Sequence, residues 1–121
     1  SVTVLTSRPP DPSGYGRVIR DAEGRVAGIV EEADTGDAEK KIGEINTGIY
    51  CVESDFLFDA LDAVRTDNAQ REYYLTDIVG EAARRGRTVC AYELTDHREA
   101  TGINTPEQLD EAHHILRQRL P

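Results

Sequence analysis

The sequence predicts an α/β fold built around a mixed β-sheet. Five β-prone runs alternate with three stretches of helical periodicity, which is typical of strands and helices packed in layers. Two of the runs flank a short Gly-containing turn and predict an antiparallel hairpin within the sheet. With 38% hydrophobic and 31% charged residues in 121, the composition is that of a folded chain and not of a disordered tail.

The first β-prone run covers residues 2–6 and ends in a proline-rich segment that excludes regular structure. The predicted hairpin pairs residues 17–20 with residues 26–31. Residues 32–43 are polar and acidic, and this composition predicts a surface loop with one helical turn.

The most β-prone run covers residues 45–52 and is interrupted by Asn46-Thr47-Gly48. Glycine weakens a strand and asparagine seeks a hydrogen-bond partner, so a β-bulge is one interpretation of the interruption. A last run covers residues 88–94. Cys51 and Cys90 lie in these two runs, where thiols are usually buried small hydrophobes, so we expect neither a disulfide nor a metal site from them.

Three helices are predicted from capping residues and from the 3.6-residue period. Ser54 is predicted to cap the first helix. Its apolar positions are Phe56, Leu57, Ala60, Leu61 and Val64. Thr76 is predicted to cap the second helix and Gly86 to end it. Thr105 and Gln108, with a proline between them, have the spacing of a capping box and predict a third helix that runs to the end of the chain.

Composition excludes several classes of function. The formal net charge of −9 argues against a nucleic-acid surface, which needs clustered Lys and Arg. No apolar run approaches the roughly 20 residues of a spanning helix, and the N-terminus has no signal-peptide core. Together with only two cysteines, these features predict a cytoplasmic protein with no nucleic-acid or membrane partner.

Five short segments carry residue types suited to ligand binding. They are Gly14-Tyr15-Gly16-Arg17, Ile29-Val30-Glu31, Glu44-Ile45-Asn46-Thr47-Gly48, the run from Asn68 to Asp77, and Gly102-Ile103-Asn104. Each alone is typical of an ordinary turn, a strand end or a loop. Their order and spacing are the stronger signal.

In that order the segments resemble the sugar-1-phosphate nucleotidyltransferases, above all the uridyltransferase domain of bifunctional N-acetylglucosamine-1-phosphate uridyltransferase/acetyltransferases. The family pattern runs D-P-x-G-Y-G-R, I-V-E, E-I-N-T-G, N-N-A-Q-x-E-Y-Y-x-T-D and G-V-N. The resemblance covers all 121 residues. It implies the sugar-binding C-terminal portion of a Rossmann-like, glycosyltransferase-A-like fold, without the N-terminal nucleotide-binding half.

The resemblance also implies a set of substrate-binding positions. They are Gly16, Glu31, Asn46, Glu72, Tyr74 and Thr76. Such groups suit a sugar, because a carboxylate accepts from hydroxyls, an amide both donates and accepts, and a glycine allows close approach of the backbone. The implied ligand is N-acetylglucosamine-1-phosphate or UDP-N-acetylglucosamine. Asn104 matches a ligand position for Mg²⁺, whose aspartate partner lies upstream of this segment in the family, so the implied metal site is incomplete.

The family's nucleotide-binding signature, L-x-x-G-x-G-T-x-M-x-S-x-x-P-K, is not found in the chain. The sequence has no Met, and none of its five prolines precedes a lysine. We therefore expect no catalytic residue in this segment and no transfer of UMP from UTP by these residues alone. We also expect self-association through exposed sheet edges.

Two alternatives remain open. After Glu31 the family shows x-Lys-Asp, whereas Ala33 stands at the lysine position here, so another sugar-1-phosphate such as glucose-1-phosphate is a second candidate substrate. A non-catalytic module that binds a sugar nucleotide or a partner chain is the third.

Overall fold

The computed structural model describes residues 1–120, and within them it confirms an α/β fold with five strands and three α-helices. The strands are β1 (Val2–Ser7), β2 (Arg17–Arg20), β3 (Val26–Val30), β4 (Ile45–Val52) and β5 (Val89–Glu93). The helices are α1 (Ser54–Leu61), α2 (Asp77–Arg84) and α3 (Pro106–Arg119). Short 3₁₀ turns lie at Glu32–Asp34, Glu39–Lys41 and His97–Ala100, so the acidic loop has two helical turns where one was predicted. None of the helices in residues 1–120 is long and apolar enough to cross a membrane.

The strands form one mixed sheet in the order β3-β2-β4-β1-β5. β5 runs parallel to β1, and the other neighbours are antiparallel, which confirms the predicted hairpin of β2 and β3. β2 meets β4 at one register pair, Arg17 with Ile45. The hairpin is therefore attached at the start of β4, and this attachment brings the segments before β2 and after β3 next to Asn46.

One face of the sheet packs against α1 and α2. The buried core consists of Val2, Val4, Val18, Val26, Ile29, Phe56, Ala60, Val64, Ile78, Val79 and Ala82. α2 lies against β3, where Gly28 and Gly80 permit a close approach of the two backbones. The predicted apolar face of α2 is confirmed. In α1 Phe56 and Ala60 are buried as predicted, whereas Leu61 is exposed and Val64 lies beyond the end of the helix. Burial of the core side chains is the main stabilising contribution.

The opposite face of β4, β1 and β5 is exposed, and the predicted burial of the two cysteines is wrong. Cys51 and Cys90 both pair with Thr3 on β1, one from each side, and both are exposed. Ile49 and Tyr92 lie at the same alternation as these thiols and are exposed too. The strands alternate between two faces, so a β-prone run is only half buried when helices cover one side.

The helix ends follow the sequence signals with two exceptions. α1 already includes Ser54, so the predicted cap is wrong by one residue. Thr76 stands at the start of α2, but its side chain makes no capping hydrogen bond. The capping box of Thr105 and Gln108 is confirmed, and Gly86 follows α2 with a φ of +67° in the left-handed region.

Candidate functional site

A wide bulge interrupts β4 at the Asn-Thr-Gly segment. Asn46 pairs with Thr6 on β1 and Tyr50 pairs with Val4, so residues 47–49 of β4 oppose a single residue of β1, Leu5. The bulge interpretation is confirmed, and β4 has two more residues here than a regular pairing with β1 would need. The bulge lies between the start of β4, which carries Asn46, and the regularly paired residues 50–52.

Local hydrogen bonds hold the bulge and fix one end of the Asn46 amide. The Gly48 N–H donates to Asn46 Oδ1 over 3.0 Å, and Gly48 has a φ of +81°, which favours glycine. The Thr47 hydroxyl donates to the Leu5 carbonyl over 2.7 Å. Asn46 Oδ1 is therefore turned towards the bulge.

Thr76 and Glu31 form the central polar contact of the site. The Thr76 hydroxyl donates to Glu31 Oε1 over 2.8 Å, and Thr76 is only 6% exposed. Glu31 follows β3 directly and Thr76 precedes α2, so the packing of α2 on β3 brings the two side chains together. Thr76 thus positions a carboxylate instead of capping its helix.

Gly16 lies between Glu31 and Asn46. A Cβ at this position would stand 3.3 Å from Glu31 Oε2 and 3.0 Å from Ile29 Cγ2, closer than side chains normally pack. The Gly16 carbonyl accepts the Asn46 N–H over 2.9 Å. A larger residue here would force one of these side chains to move, and Gly16, Glu31 and Asn46 form one continuous group.

Arg17 is a site-supporting residue that sequence reasoning left without a role. Its side chain is 2% exposed and donates to Glu32 Oε2 over 2.7 Å and to the Tyr15 carbonyl. It thereby ties the residue after Glu31 to the loop that carries Gly16. Its place before the apolar pair Val18-Ile19 was the available signal for burial.

Glu44, which precedes β4, is a buried carboxylate held by arginines. Arg20 donates to both of its oxygens over 2.8 Å, and Arg8 donates over 3.2 Å. Burial alone would raise the pKa of Glu44, but the hydrogen bonds from Arg20 and the nearby arginine charges bring it below its ordinary value. This network fixes the hairpin to β4.

A cleft of about 260 Å³ opens beside Glu31. Its lining includes Ile29, Val30, Glu31, Asp34, Arg65, Asp67, Asn68, Tyr74 and Asp77. The Tyr74 hydroxyl donates to Gln70 Oε1 over 2.8 Å. Burial and the charge of Asp34 raise the pKa of Asp77. With four carboxylates and one arginine, the cleft suits a ligand that donates hydrogen bonds.

Glu72 stands apart from this group. The Asn68 side chain bonds its backbone N–H and carbonyl over 3.1 and 2.6 Å, and Glu72 itself is exposed. No described contact joins the Glu72 carboxylate to Glu31 or Asn46. Of the expected substrate-binding residues, Gly16, Glu31, Asn46 and Thr76 are brought together, with Tyr74 at the cleft beside Glu31.

Asn104 is exposed in the loop before α3, and its N–H donates to Gln108 Oε1 over 2.6 Å. The Gly102 N–H donates to the Tyr15 hydroxyl over 3.2 Å, so this loop is attached beside Gly16. Residues 1–120 contain no group of three or more His, Cys, Asp or Glu placed to hold a metal. A single neutral amide oxygen is not enough for Mg²⁺, so the described residues do not form that site alone.

Curated proteins similar in sequence cover nearly the whole chain. Curated proteins described as bifunctional protein GlmU are 56% identical over 120 residues in Pelotomaculum thermopropionicum and 47% identical over 118 residues in Latilactobacillus sakei. They cover 99% and 98% of this chain, which spans about a quarter (26%) of the length of each.

A solved structure supports the fold. A putative glucose-1-phosphate thymidylyltransferase from Bacillus anthracis aligns with a TM-score of 0.67 and 23% identity, covering 96% of this chain and 43% of its own. At this identity the likeness concerns the fold alone. The family described as Nucleotidyl transferase matches residues 1–112. The chain therefore belongs to the nucleotidyl transferase family.

Proposed function

We propose that this chain holds the sugar in an enzyme that transfers UMP from UTP to N-acetylglucosamine-1-phosphate, giving UDP-N-acetylglucosamine and pyrophosphate. The observation that carries the proposal is the Glu31 carboxylate, held by Thr76 over Gly16 and beside Asn46. Similarity to the GlmU proteins supports the choice of sugar and nucleotide. Because the chain spans a quarter of those proteins, the complete reaction is proposed for the natural protein.

The site offers complementary partners to a sugar ring. Thr76 occupies Glu31 Oε1, which leaves Oε2 to accept from a sugar hydroxyl. The Gly48 N–H occupies one lone pair of Asn46 Oδ1, which leaves the amide NH₂ to donate to a hydroxyl or to an acetamido carbonyl. Glu31 and Asn46 would thus bind hydroxyl and amide groups on one ring.

The charge of the cleft indicates which part of the ligand lies in it. Glu31, Asp34, Asp67 and Asp77 outnumber Arg65, and carboxylates repel a phosphate. About 260 Å³ is also below the roughly 300–1,000 Å³ of pockets for larger ligands. We infer that the cleft takes the sugar ring and that the phosphate points out of it.

The proposed role of this chain is positioning. Phosphoryl transfer of this kind depends on alignment of the reactants and on neutralised charge, without a protein nucleophile. Glu31, Asn46 and Gly16 would hold the sugar so that its 1-phosphate meets the nucleotide. We infer that the groups that grip the triphosphate, and any ligand that joins Asn104 on Mg²⁺, come from other parts of the natural protein.

Calorimetry on the natural-length protein tests the proposal. We expect Glu31→Gln to weaken binding of N-acetylglucosamine-1-phosphate by about 10- to 100-fold, because a charge-assisted hydrogen bond is lost. Glu23→Gln, in the exposed hairpin turn, is the matched control and should bind like the parent. Equal affinities of the two variants would contradict the proposal.

Glucose-1-phosphate is the second candidate substrate. The observation that favours it is Ala33, where the family pattern of N-acetylglucosamine enzymes has a lysine. Comparing kcat/KM for the two sugar phosphates separates the candidates. Binding without turnover of either one would instead favour a module that only binds a sugar nucleotide.

A further inference from the structure

Tyr50 carries a buried hydroxyl next to the proposed sugar site. The hydroxyl is shielded from solvent, and no described residue makes a hydrogen bond of ordinary geometry to it. Burial raises the pKa of Tyr50 to about 12, against the opposing effect of the Asn46 side chain and with a further increase from the charge of Glu31. The two side chains that influence the pKa of this hydroxyl, Asn46 and Glu31, both belong to the site.

The bulge in β4 explains how Tyr50 reaches Asn46. Residues four apart in a regular strand are separated by roughly 13 Å, beyond the reach of a side chain from one to the other. Here Asn46 and Tyr50 pair with Thr6 and Val4, which are two apart on β1, so the separation shrinks to roughly 7 Å. Tyr50 packs against the core on the helix-covered face, and Asn46 shares that face because the partners of the two residues are two apart on β1.

The Asn46 amide has two chemically different ends, and its binding role depends on which way each points. The Gly48 N–H holds Oδ1 over 3.0 Å. The remaining end is the NH₂ group, and the Tyr50 hydroxyl is an acceptor for it. Because the hydroxyl is covered by protein, it would act on a ligand through Asn46 and not by direct contact.

We propose that Tyr50 is a positioning residue of the sugar site, whose hydroxyl acts with the Gly48 N–H to fix the orientation of the Asn46 amide. The inference rests on the proposed function for its ligand, but the contact between Tyr50 and Asn46 can be tested without one. No charge or bond changes in this role. The hydroxyl only restricts the rotation of the amide.

Tyr50→Phe in the natural-length protein is the test, since it keeps the ring and removes the hydroxyl. We expect the KM for N-acetylglucosamine-1-phosphate to rise about three- to tenfold, which is the size of one neutral hydrogen bond, while kcat and the KM for UTP change by less than about twofold. The melting temperature should stay close to that of the parent, because the aromatic ring that packs against the core is kept. Tyr92→Phe, on the exposed face, is the control.

Two further measurements make the outcome decisive. In an Asn46→Ala background, Tyr50→Phe should have no additional effect on KM, because the residue through which it acts is absent. In ¹⁵N–¹H spectra without ligand, Tyr50→Phe should shift the Asn46 side-chain NH₂ signals, while those of Asn68 and Asn104 stay in place.

An unmoved Asn46 signal, an unchanged KM, or an equal rise of KM in the Asn46→Ala background would each overturn the inference. If the natural protein neither binds nor turns over a sugar phosphate, the proposed function fails. The Asn46 signal alone then decides whether Tyr50 orients this amide.

Discussion

The Thr76 hydroxyl donates to Glu31 Oε1 over 2.8 Å and links residues 45 positions apart in the sequence. The same threonine stands where a helix-capping residue is expected, and its side chain leaves the end of α2 without a side-chain cap. A capping bond is worth about 1 kcal/mol of stability. Its absence is consistent with a threonine that serves the site, because functional residues often depart from the locally most stable choice.

Thr76→Val should weaken sugar-phosphate binding with little loss of stability. The variant keeps the shape of the buried side chain but no longer holds Glu31, so we expect the dissociation constant to rise about three- to tenfold. Thr76→Ser, which keeps the hydroxyl, should recover most of the affinity. Calorimetry of both variants checks this, and equal affinities for Val and Ser would show that the contact with Glu31 is not used.

Gly16→Ala should disrupt the site more than the fold. The new methyl group would press on Glu31 Oε2 and Ile29 Cγ2, and the carboxylate side chain is the easier of the two to displace. We expect at least a tenfold loss of affinity with a loss of about 1–2 kcal/mol in the free energy of unfolding. Gly28→Ala is the control, because its methyl group would meet only the Gly80 backbone at 3.7 Å.

Glu44→Gln should destabilise the fold in a pH-dependent manner. The pKa of Glu44 in the folded protein is below the ordinary value of 4.5. The ionised carboxylate therefore stabilises the fold above pH 4.5, and this stabilisation is lost as the pH falls through the folded pKa. Arg8 and Arg20 are partly exposed and can be rehydrated, so we expect a loss of about 1–3 kcal/mol at pH 7. Urea unfolding at pH 7 and pH 3 should show the difference shrinking in acid.

Asp77→Asn should stabilise the fold, in contrast to Glu44→Gln. Burial and the charge of Asp34 raise the pKa of Asp77, so the ionised carboxylate destabilises the folded state. This destabilisation is absent below the ordinary pKa of 3.8 and is fully present once the pH has risen through the folded pKa. We expect a gain of about 0.5 kcal/mol at pH 7 that disappears in acid. Thermal melts at the two pH values measure it. A stable variant with weaker sugar binding would place Asp77 in the site.

The exposed sheet face predicts self-association of the isolated chain. Ile49 and Tyr92 are 53% and 64% exposed there, next to two thiols. We expect sedimentation of the 121-residue chain under reducing conditions to show dimers or larger species, and the double substitution Ile49→Lys and Tyr92→Lys to restore a monomer. Phe58→Lys is the control, because Phe58 is exposed on α1, away from this face, and its substitution should leave the association unchanged.

The sequence was a good guide to the elements and a weaker guide to what lies between them. Periodicity and capping residues predicted the five strands and three helices because these signals are local. The exposure of Cys51 and Cys90 could not be predicted, since it depends on which face of the sheet the helices cover. The family resemblance implied six substrate-binding positions, Gly16, Glu31, Asn46, Glu72, Tyr74 and Thr76, of which the fold leaves Glu72 apart. No pattern indicated that Thr76 bonds Glu31.

The roles of Arg17 and Tyr50 were out of reach for the same reason. Arg17 meets Glu32 through the hairpin, and Tyr50 approaches Asn46 only because residues 47–49 bulge out of the ladder. A spacing of four residues in a regular strand predicts no such contact. The sequence indicated a bulge at Asn46-Thr47-Gly48, but its size depends on pairing with β1, which the sequence of one strand does not reveal.

The bulge in β4 also means that this strand is longer than the sheet requires. Removing Gly48 and Ile49 would leave every later side chain on its present face, because two residues are one full period of a strand. The sheet would then be regular, and Asn46 would lose the N–H that orients it. Folding and ligand recognition are thus encoded in separable parts of one strand, and a shortened variant could retain the first while losing the second.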